Sequence, residues 1–374
     1  MGKTWKRMKN AALLRAVAAY RRRHLPDGKG SRGGASRFLI VSSTGIGDTL
    51  WGTPAIYALR KALPDSSIAV LTSDAGQEVL AGNPAIDEIF VFRRGAAGYW
   101  RLVRSLMTVR RRGVDAVLFF HASDRILWPL CAFTGAPFLI GLAGQSKGQD
   151  EILTAAISLG DEIHWAQARF SLLREVGVNA TPGPIRLYLN GKDRERPERL
   201  LKETGWGNVP LLVGLHPGSK DPFKQWPEDK FARLGRALEN KAGAKIVVTG
   251  DAEESALAAK VAGKIPQALS MAGKLSMRET AALIERMSLF ITNDTGPMHI
   301  AFAVKTPTVA LFSPTDPALC GPFRAEGLTA IIRKEKTCPT SCVGKGCVDP
   351  VCMDQITVME VLEEAERLLF RGGR

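Results

Sequence analysis

The sequence predicts an α/β protein built from two doubly wound domains in tandem. Short apolar runs typical of buried parallel strands alternate with helical stretches, first from residue 37 and again from residue 211. Each series carries glycine-marked loops directly after strands, where open α/β sheets bind their ligands. The 374 residues are enough for two domains of ordinary size.

The first series predicts a domain over residues 37–190. Its strands are expected at the apolar runs FLIVSS, SIAVLT, EIFVF, DAVLFF and FLIGL. Helices are expected between them, for example over residues 53–63 and 98–112, and again over HWAQARFSLLREVGV. The stretch NATPGPIRLYLNGKDRERPERL that follows has the composition of an interdomain connection.

The second series predicts a domain over residues 208–374. Its strands are expected at LLVGLHPGS, KIVVTG, ALSMAG, LFITND and TVALFS. Ser276 and Glu279 have the Ser-x-x-Glu spacing of a capping box, which predicts a helix that begins there and continues through Met287. The terminal ITVMEVLEEAERLLF has the pattern of an amphipathic helix.

Most of the positive charge lies at the N-terminus. The net charge is +14, and residues 1–37 supply +10 of it through eleven Lys or Arg side chains and one acid, Asp27. The remaining body is nearly neutral, which excludes a uniformly basic nucleic-acid binder. Residues 1–36 are predicted to be a basic tail that ends in the flexible linker PDGKGSRGGAS.

On a helical wheel, the tail separates apolar from basic side chains. The apolar side holds Trp5, Met8, Ala12, Leu13, Ala16 and Tyr20. This pattern is typical of a helix that lies on an anionic membrane surface, although an organelle transit peptide has a similar composition. The short apolar part contains Arg15, so it does not resemble a secretory signal, and no apolar stretch is long enough to span a membrane.

Four of the six cysteines crowd into a short segment near the C-terminus, at Cys338, Cys342, Cys347 and Cys352. In the absence of an export signal, a reducing cytosolic setting is the default expectation. Their spacing lacks the Cys-x2-Cys pairs of common zinc and iron–sulfur sites, so a local structural role is the alternative to a metal site.

The loop after the first strand contains Gly45, Gly47 and Asp48. A glycine turn that opens a helix often binds phosphate, but Leu50 occupies the third glycine position of Gly-x-Gly-x-x-Gly, and an aspartate repels an anion. The loop is therefore not predicted to hold a dinucleotide. Asp48 is predicted either to cap the following helix or to act as a general base.

Two loops of the second series favour anions. HPGSKDPFKQWP has small residues for close backbone approach and two lysines, and its Trp226–Pro227 opens a helix. In NDTGPMH a strand ends, Asp294 and Thr295 can cap, and Gly296 begins a helix whose free N–H groups favour an anion. This division predicts a nucleotide-diphosphate donor in the second domain and a reacting hydroxyl near Asp48 in the first.

Four motifs, in order, resemble glycosyltransferase family 9, the bacterial lipopolysaccharide heptosyltransferases and their relatives. They are STGIGDTLWGTPAIYALRKALPDSSIAVL, VGLHPGSKDPFKQWPEDKFARL, VVTGDAEE and ITNDTGPMHIAFAVKTPTVALFSPTDP. The likeness extends from about Arg37 to the C-terminus and leaves out the basic tail. It implies a GT-B fold, in which two Rossmann-like domains face each other across a cleft.

The resemblance also implies an inverting, metal-independent transfer from a nucleotide-diphosphate sugar, with ADP-heptose as the favoured donor and a lipid-linked or oligosaccharide acceptor. The absence of an Asp-x-Asp sequence fits a reaction without a bound metal. By family position, Asp48 is the base and Lys224 the cation on the diphosphate. The resemblance places further donor contacts at Ser219, Lys220, Glu253, Asp294, Thr295, Gly296 and His299, and the acceptor-side loop at Gly45 and Gly47.

Simpler interpretations stay open for several of these residues. Lys224 has the alternative of an ordinary solvated lysine, Asp294 that of a helix cap, and His299 that of a buried core histidine. Residues 93–112 contain seven arginines and no acid, which indicates either a solvated helix face or a surface for an anionic acceptor or lipid headgroups.

Two other functions fit the same architecture: a nucleotide-sugar epimerase, and a non-catalytic nucleotide-sugar-binding or membrane-adaptor protein. The expected localisation of the transferase is cytoplasmic, at the inner face of the membrane.

Overall fold

The computed structural model describes residue 17 and residues 34–160, 163–325, 327–335, 347 and 351–370. The chain divides into two compact units, residues 1–183 and residues 184–374. Each unit is an α/β layered domain with one six-stranded parallel sheet. The predicted fold class, two doubly wound domains, is confirmed.

Parallel strands form the core of the first domain. They are β1 (Arg37–Ser43), β2 (Ser67–Thr72), β3 (Glu88–Val91), β4 (Ala116–Ala122), β5 (Phe138–Leu142) and β6 (Ala155–Ile157). Their order in the sheet is β3-β2-β1-β4-β5-β6. Six residues of β1 are buried in succession, as expected for a central parallel strand covered on both faces.

Helices cover this sheet. They are α1 (Ile46–Ala62), α2 (Asp74–Leu80), α3 (Ala96–Arg112), α4 (Leu127–Ala132) and α5 (Trp165–Arg174). Helix α1 begins directly after the glycine turn, seven residues earlier than the predicted start at residue 53. Strand β6 is short and only partly buried, which explains why no apolar run predicted it.

The second domain repeats this plan. Its strands are β7 (Leu212–His216), β8 (Lys245–Val248), β9 (Leu269–Ser270), β10 (Leu289–Asn293), β11 (Thr308–Phe312) and β12 (Thr329–Arg333), in the order β12-β11-β10-β7-β8-β9. Strand β12 alternates buried and exposed residues at the sheet edge and was not predicted. In both parallel sheets the strand order changes direction between the first and fourth strands of the domain, which marks the switch point where doubly wound folds bind ligands.

The helices of this unit are α6 (Gly191–Glu203), α7 (Glu228–Ala242), α8 (Ser255–Ala262), α9 (Met277–Glu285), α10 (Gly296–Ala303), α11 (Pro317–Cys320), α12 (Val351–Asp354) and α13 (Val358–Leu369). The predicted capping box of Ser276 and Glu279 is present at the start of α9. The final amphipathic helix is present as α13.

The stretch expected to connect the domains contains helix α6. The Asn190 side chain accepts hydrogen bonds from the first turn of this helix, and Asp193 bonds back to the Asn190 backbone. Asp193 also pairs with Arg278 of α9 at 2.7 Å, so α6 belongs to the second domain. The division between the two units, after residue 183, falls within the stretch expected to connect them, but the helix in its second half was not predicted because a helix of mostly charged residues shows almost no apolar periodicity in the sequence.

The predicted tail lies mostly outside the described residues. Val17 is described; it is helical, and its side chain is buried in the core of the first domain together with Leu102 and Leu106 of α3. This position of the predicted amphipathic segment therefore contacts protein. No helix in the described part of the chain combines the length and apolarity that a membrane crossing requires.

Candidate active site: two switch points

The first candidate site lies at the switch point of the first domain. Strands β1 and β4 are neighbours there, and Ser42 pairs with His121 across a register shift. Asp48 projects from the first turn of α1, immediately beyond the end of β1. Its Oδ1 lies 3.4 Å from Nδ1 of His121, and both side chains are partly exposed. The topology therefore brings a carboxylate and an imidazole to the edge where ligands are expected.

Asp48 does not cap helix α1. The N-cap residue is Gly45, and no side chain makes a capping hydrogen bond at this end of the helix. Asp48 is the third residue inside the helix, where its carboxylate is favoured by the positive end of the helix dipole. The alternative that Asp48 serves only as the cap is wrong. Gly47 lies in the same first turn.

A buried arginine lies behind this pair. Arg169 of α5 is 2% exposed, its Cζ lies 5.9 Å from the centre of the Trp165 ring, and its Nε has no hydrogen-bond partner within the described residues. Burial lowers the pKa of Arg169 to about 10, while the Asp48 carboxylate opposes this change. The guanidinium therefore keeps its charge near neutral pH, and Asp48 is a nearby counter-charge.

The pKa of Asp48 is held below its ordinary value. Burial by itself would raise this pKa, but the neighbouring His121 ring, the charge of Arg169 and the nearby Thr44 side chain together outweigh the burial. Because ionised carboxylates accept protons and neutral ones do not, the site presents an ionised acceptor throughout the neutral range.

The second candidate site lies at the switch point of the second domain, between β7 and β10. Lys224 ends a single 3-10 turn, Pro222–Lys224, in the loop after β7. Its Nζ lies 2.8 Å from Oδ2 of Asp294, which directly follows β10. Thr315, after β11, donates to the same oxygen at 2.5 Å. The structure thus brings together two predicted site residues, and Lys224 is a partly buried, paired cation instead of the solvated lysine of the alternative.

Asn293, the last residue of β10, joins the two loops of this site. Its side-chain oxygen accepts a hydrogen bond from the Trp226 backbone at 3.0 Å. Its amide nitrogen donates to the carbonyls of Pro217 at 2.9 Å and Gly218 at 3.2 Å. Asn293 is fully buried, so these bonds fix the loop after β7 against the end of β10.

Helix α10 begins beside this pair, as predicted, with Gly296 as its first residue. Thr295 is the N-cap residue in extended conformation, but its side chain makes no capping hydrogen bond. Asp294 also does not cap the helix, because its carboxylate pairs with Lys224. Pro297 has no N–H and the Met298 N–H donates to the Thr295 carbonyl, so the Gly296 N–H is the group at this helix start that neither side chain caps and that is oriented to bind an anion.

Glu254 and His216 form a third group in the same domain. His216 ends β7, its Nδ1 contacts Thr249 Oγ1 at 3.1 Å, and its Nε2 lies 3.7 Å from Glu254 Oε2. Burial lowers the pKa of His216 to about 4 and raises the pKa of Glu254. A Cβ built on Gly218 would lie 2.1 Å from Glu254 Oε1, so glycine is what allows the loop to approach this carboxylate.

The other predicted donor contacts are less closely grouped. Ser219 is buried, and its hydroxyl accepts a long hydrogen bond from the Asp221 backbone at 3.4 Å. Lys220 and Glu253 are exposed. His299 is buried in α10 with its ring edge-to-face against Phe302, 6.0 Å between centres. Of the two adjacent glutamates, Glu254 is the one that faces the loop after β7.

Sequence reasoning missed several of these residues. His121 and Arg169 in the first domain, and Asn293, Thr315 and Glu254 in the second, had no predicted role. The polar residue that ends the apolar run DAVLFFH was a usable signal for His121. Arg169 offered none, because its burial depends on packing between α5 and the rest of the domain.

The cysteine-rich segment is described only in part. Cys338 and Cys342 lie outside the described residues, Cys347 is partly exposed, and Cys352 is buried. The hypothesis of a four-cysteine metal site therefore stays untested.

Comparison with known proteins identifies the family. The sequence model of glycosyltransferase family 9 (heptosyltransferase) matches residues 127–349. Lipooligosaccharide heptosyltransferase 2 of Haemophilus ducreyi is 30% identical over 314 residues, which is 78% of this chain and 87% of that protein.

Solved structures confirm the GT-B fold. The glycosyltransferase family 9 structure from Veillonella parvula superimposes with a TM-score of 0.79 at 24% identity, covering 92% of this chain and all of that one. The ADP-heptose lipopolysaccharide heptosyltransferase II of Escherichia coli has a TM-score of 0.73 at 19% identity, over 90% and 100% of the two chains. The chain therefore belongs to glycosyltransferase family 9, and it is a glycosyltransferase that uses a nucleotide sugar.

Proposed function

We propose that this protein is an inverting, metal-independent heptosyltransferase that moves a heptose from ADP-heptose to a lipopolysaccharide-core acceptor on the cytoplasmic side of the membrane. The observation that carries the proposal is the contrast between the two switch points. One holds an ionised carboxylate, and the other holds a cation next to an uncapped helix start. A proton acceptor and an anion site are the two requirements for transfer from a sugar diphosphate to a hydroxyl.

Asp48 is the proposed general base. The acceptor oxygen attacks the anomeric carbon of the donor, the bond from that carbon to the diphosphate oxygen breaks, and the carboxylate takes the hydroxyl proton. His121 and Arg169 hold the carboxylate ionised and fix its direction. A Cβ on Gly45 would meet nothing within 4 Å, so the glycine leaves open space beside the base, which suits an approaching acceptor.

The second switch point is the proposed donor site. As the bond breaks, negative charge grows on the leaving diphosphate, and Lys224 together with the Gly296 N–H and the positive end of the α10 dipole stabilises it. Ser219, Lys220, Thr295 and Gly296 line the loops that would hold the phosphates. Glu254 is proposed to contact the nucleoside or sugar in place of its neighbour Glu253, because its carboxylate lies against Gly218.

The direct test is a transfer assay with purified full-length protein, ADP-heptose and a heptose-deficient core acceptor, in excess chelator, followed by mass spectrometry of the products. We expect a mass gain of one heptose on the acceptor and release of ADP. Conversion of the donor sugar without acceptor would indicate an epimerase. Donor binding, seen as thermal stabilisation, without any turnover would indicate a binding protein. A strict need for a divalent cation would contradict the metal-independent step.

The two adjacent glutamates give a matched pair of variants. We expect Glu254→Gln to weaken donor binding by about tenfold, the equivalent of about 1.4 kcal/mol, and Glu253→Gln to leave binding within about twofold of wild type. Calorimetric titration with ADP-heptose measures both. A larger loss of donor affinity in Glu253→Gln than in Glu254→Gln would identify Glu253 as the donor contact. It would contradict the role proposed for Glu254.

Arg169 should control the acid side of the pH profile. The lowered pKa of Asp48 places loss of the base, and of the stability that its ionised form contributes, below the ordinary aspartate pKa of about 3.9. Arg169→Met removes one cause of this lowering. We therefore expect the acid limb of kcat/KM to move to higher pH, because this limb reports the free enzyme.

The matched control is Arg174→Met, an exposed arginine in the last turn of the same helix. Its profile should coincide with that of the wild type. Circular dichroism would confirm that both variants fold. A folded Arg169→Met enzyme with an unchanged acid limb would show that the buried guanidinium does not set the protonation of Asp48.

A further inference from the structure

Helix α3 presents an outer face that the transfer reaction does not explain. Trp100 is 76% exposed, Met107 44% and Val103 39%. Their spacings of three, four and seven residues place these side chains in one stripe. The opposite side of the helix carries Leu102 and Leu106, which are buried in the domain core. The helix is therefore apolar on two sides, and within the described residues only the side with Leu102 and Leu106 is buried.

Positive charge lies along the same exposed stripe. Arg104 follows Trp100 by one turn, and Arg111 follows Met107 by one turn, so both lie on the outer face. Neither guanidinium, nor that of Arg101, has a carboxylate or hydrogen-bond partner in the part of the chain that the structure describes. The helix itself contains no acidic residue. The outer face thus carries positive charge that the domain does not neutralise.

The arginines at the helix ends behave differently. Arg93 pairs with Asp74 at 2.5 Å, Arg94 with Asp124 at 3.2 Å and Arg112 with Glu88 at 2.5 Å. Cations in the last turn are also favoured by the helix dipole, which gives Arg110 to Arg112, Arg111 of the outer face included, a structural contribution as well. The dipole does not favour cations in the first half of the helix, so it leaves Arg101 and Arg104 unexplained.

We propose that the α3 outer face, formed by Trp100, Val103, Arg104, Met107 and Arg111, docks on an anionic lipid membrane. An exposed indole beside an aliphatic stripe suits the boundary between headgroups and acyl chains, and arginines reach headgroup phosphates while their stems stay in contact with apolar groups. This inference rests on the proposed function in one respect: a lipid-linked acceptor requires the enzyme to work at a membrane surface.

A lipid surface fits the face better than a protein partner or a soluble glycan. The apolar side chains lie on the exposed face of a single helix. The phosphates of a soluble phosphorylated glycan would bind the arginines, but such a glycan would leave the indole and the Met107 side chain in water. The combination of uncompensated cations with an exposed apolar stripe is what a membrane surface satisfies.

The test is sedimentation of the full chain with phosphatidylglycerol or phosphatidylcholine vesicles at physiological salt, without donor or acceptor. Each basic residue near an anionic membrane contributes about 1 kcal/mol, or about fivefold in partitioning. We therefore expect Arg104→Glu/Arg111→Glu to weaken binding to phosphatidylglycerol vesicles by more than tenfold. Trp100→Ser/Met107→Ser should also weaken it by about tenfold or more, and this loss should persist when the salt concentration changes.

The control is Arg174→Glu/Arg233→Glu, which makes the same change in net charge at exposed arginines outside the face. It should bind vesicles within about twofold of wild type. Donor-induced thermal stabilisation, measured in parallel for all variants, reports folding and the donor site. Since vesicle binding needs neither donor nor transfer, failure of the proposed function would leave this result unchanged.

Vesicle binding by both face variants at the wild-type level would overturn the proposal. So would loss of binding on deletion of residues 1–16 with the face variants unaffected, because the tail would then be the anchor. Binding of inorganic pyrophosphate to the α3 outer face, without any binding of vesicles, would identify an anion site for a soluble acceptor. This result would also contradict membrane docking.

Discussion

Asp48→Asn should lower kcat by about 10²-fold or more, the usual contribution of a positioned general base. The amide has nearly the shape of the carboxylate but cannot accept the acceptor's proton. Donor binding should be retained, because the proposed donor loops belong to the other domain. Steady-state kinetics with ADP-heptose and a core acceptor would measure the first effect, and calorimetric titration of the donor the second.

The same substitution should also have a small cost in stability. The carboxylate is the counter-charge of the buried Arg169, and its Oδ1 lies 3.4 Å from His121 Nδ1, an ion-pair contact without hydrogen-bond geometry. Loss of such a charge interaction at a partly exposed carboxylate typically costs about 1 kcal/mol or less. Urea denaturation at pH 7 should therefore show a modest decrease in the free energy of unfolding.

Asp65→Asn is the matched control. Asp65 is exposed just beyond the far end of the same helix, and a 17-residue helix is about 25 Å long. Its variant should have wild-type kcat. If Asp48→Asn retained activity within a few-fold of the wild type, the general-base role would have to pass to another group.

The sequence contained the information that places Asp48 and the donor loops at strand ends. Apolar runs predict buried parallel strands, and ligands bind beyond the carboxyl ends of such strands. Local sequence patterns did not indicate which strands are neighbours in the sheet. Ser42 pairs with His121, far along the chain, and only this pairing brings the imidazole to Asp48.

Other features depended on packing that no local pattern reveals. Arg169 is buried although arginine is normally exposed, because α5 packs against the core near Asp48. Helix α6 is highly charged and is stabilised by the Asn190 capping box and by the contact of Asp193 with Arg278. The burial of Arg169 and the formation of α6 both depend on tertiary contacts. Local patterns in a single sequence cannot predict such contacts.

Lys224→Ala should lower kcat by about 10²–10³-fold, the loss seen when one stabilising group is removed from a developing anion. The structure also predicts that Lys224→Ala lowers the free energy of unfolding, which substitution of a solvated lysine would not do. Lys224 and Asp294 are 16% and 7% exposed, and removal of the cation leaves the Asp294 carboxylate with the Thr315 hydroxyl as its side-chain partner among the described residues. Breaking a buried pair costs about 3–5 kcal/mol, and the partial exposure of Lys224 should reduce this amount.

A double variant separates the two effects. In Lys224→Ala/Asp294→Asn the uncompensated carboxylate is replaced by a neutral amide whose oxygen can still accept from Thr315. We expect this variant to regain most of the free energy of unfolding but none of the transfer activity, because the leaving diphosphate still lacks its cation. Lys192→Ala, at an exposed lysine of α6, is the control and should match the wild type in both measurements. Recovery of transfer together with stability would mean that Lys224 acts only by holding Asp294 in place, and the charge on the departing diphosphate would then have to be stabilised by the start of α10 and by Lys220.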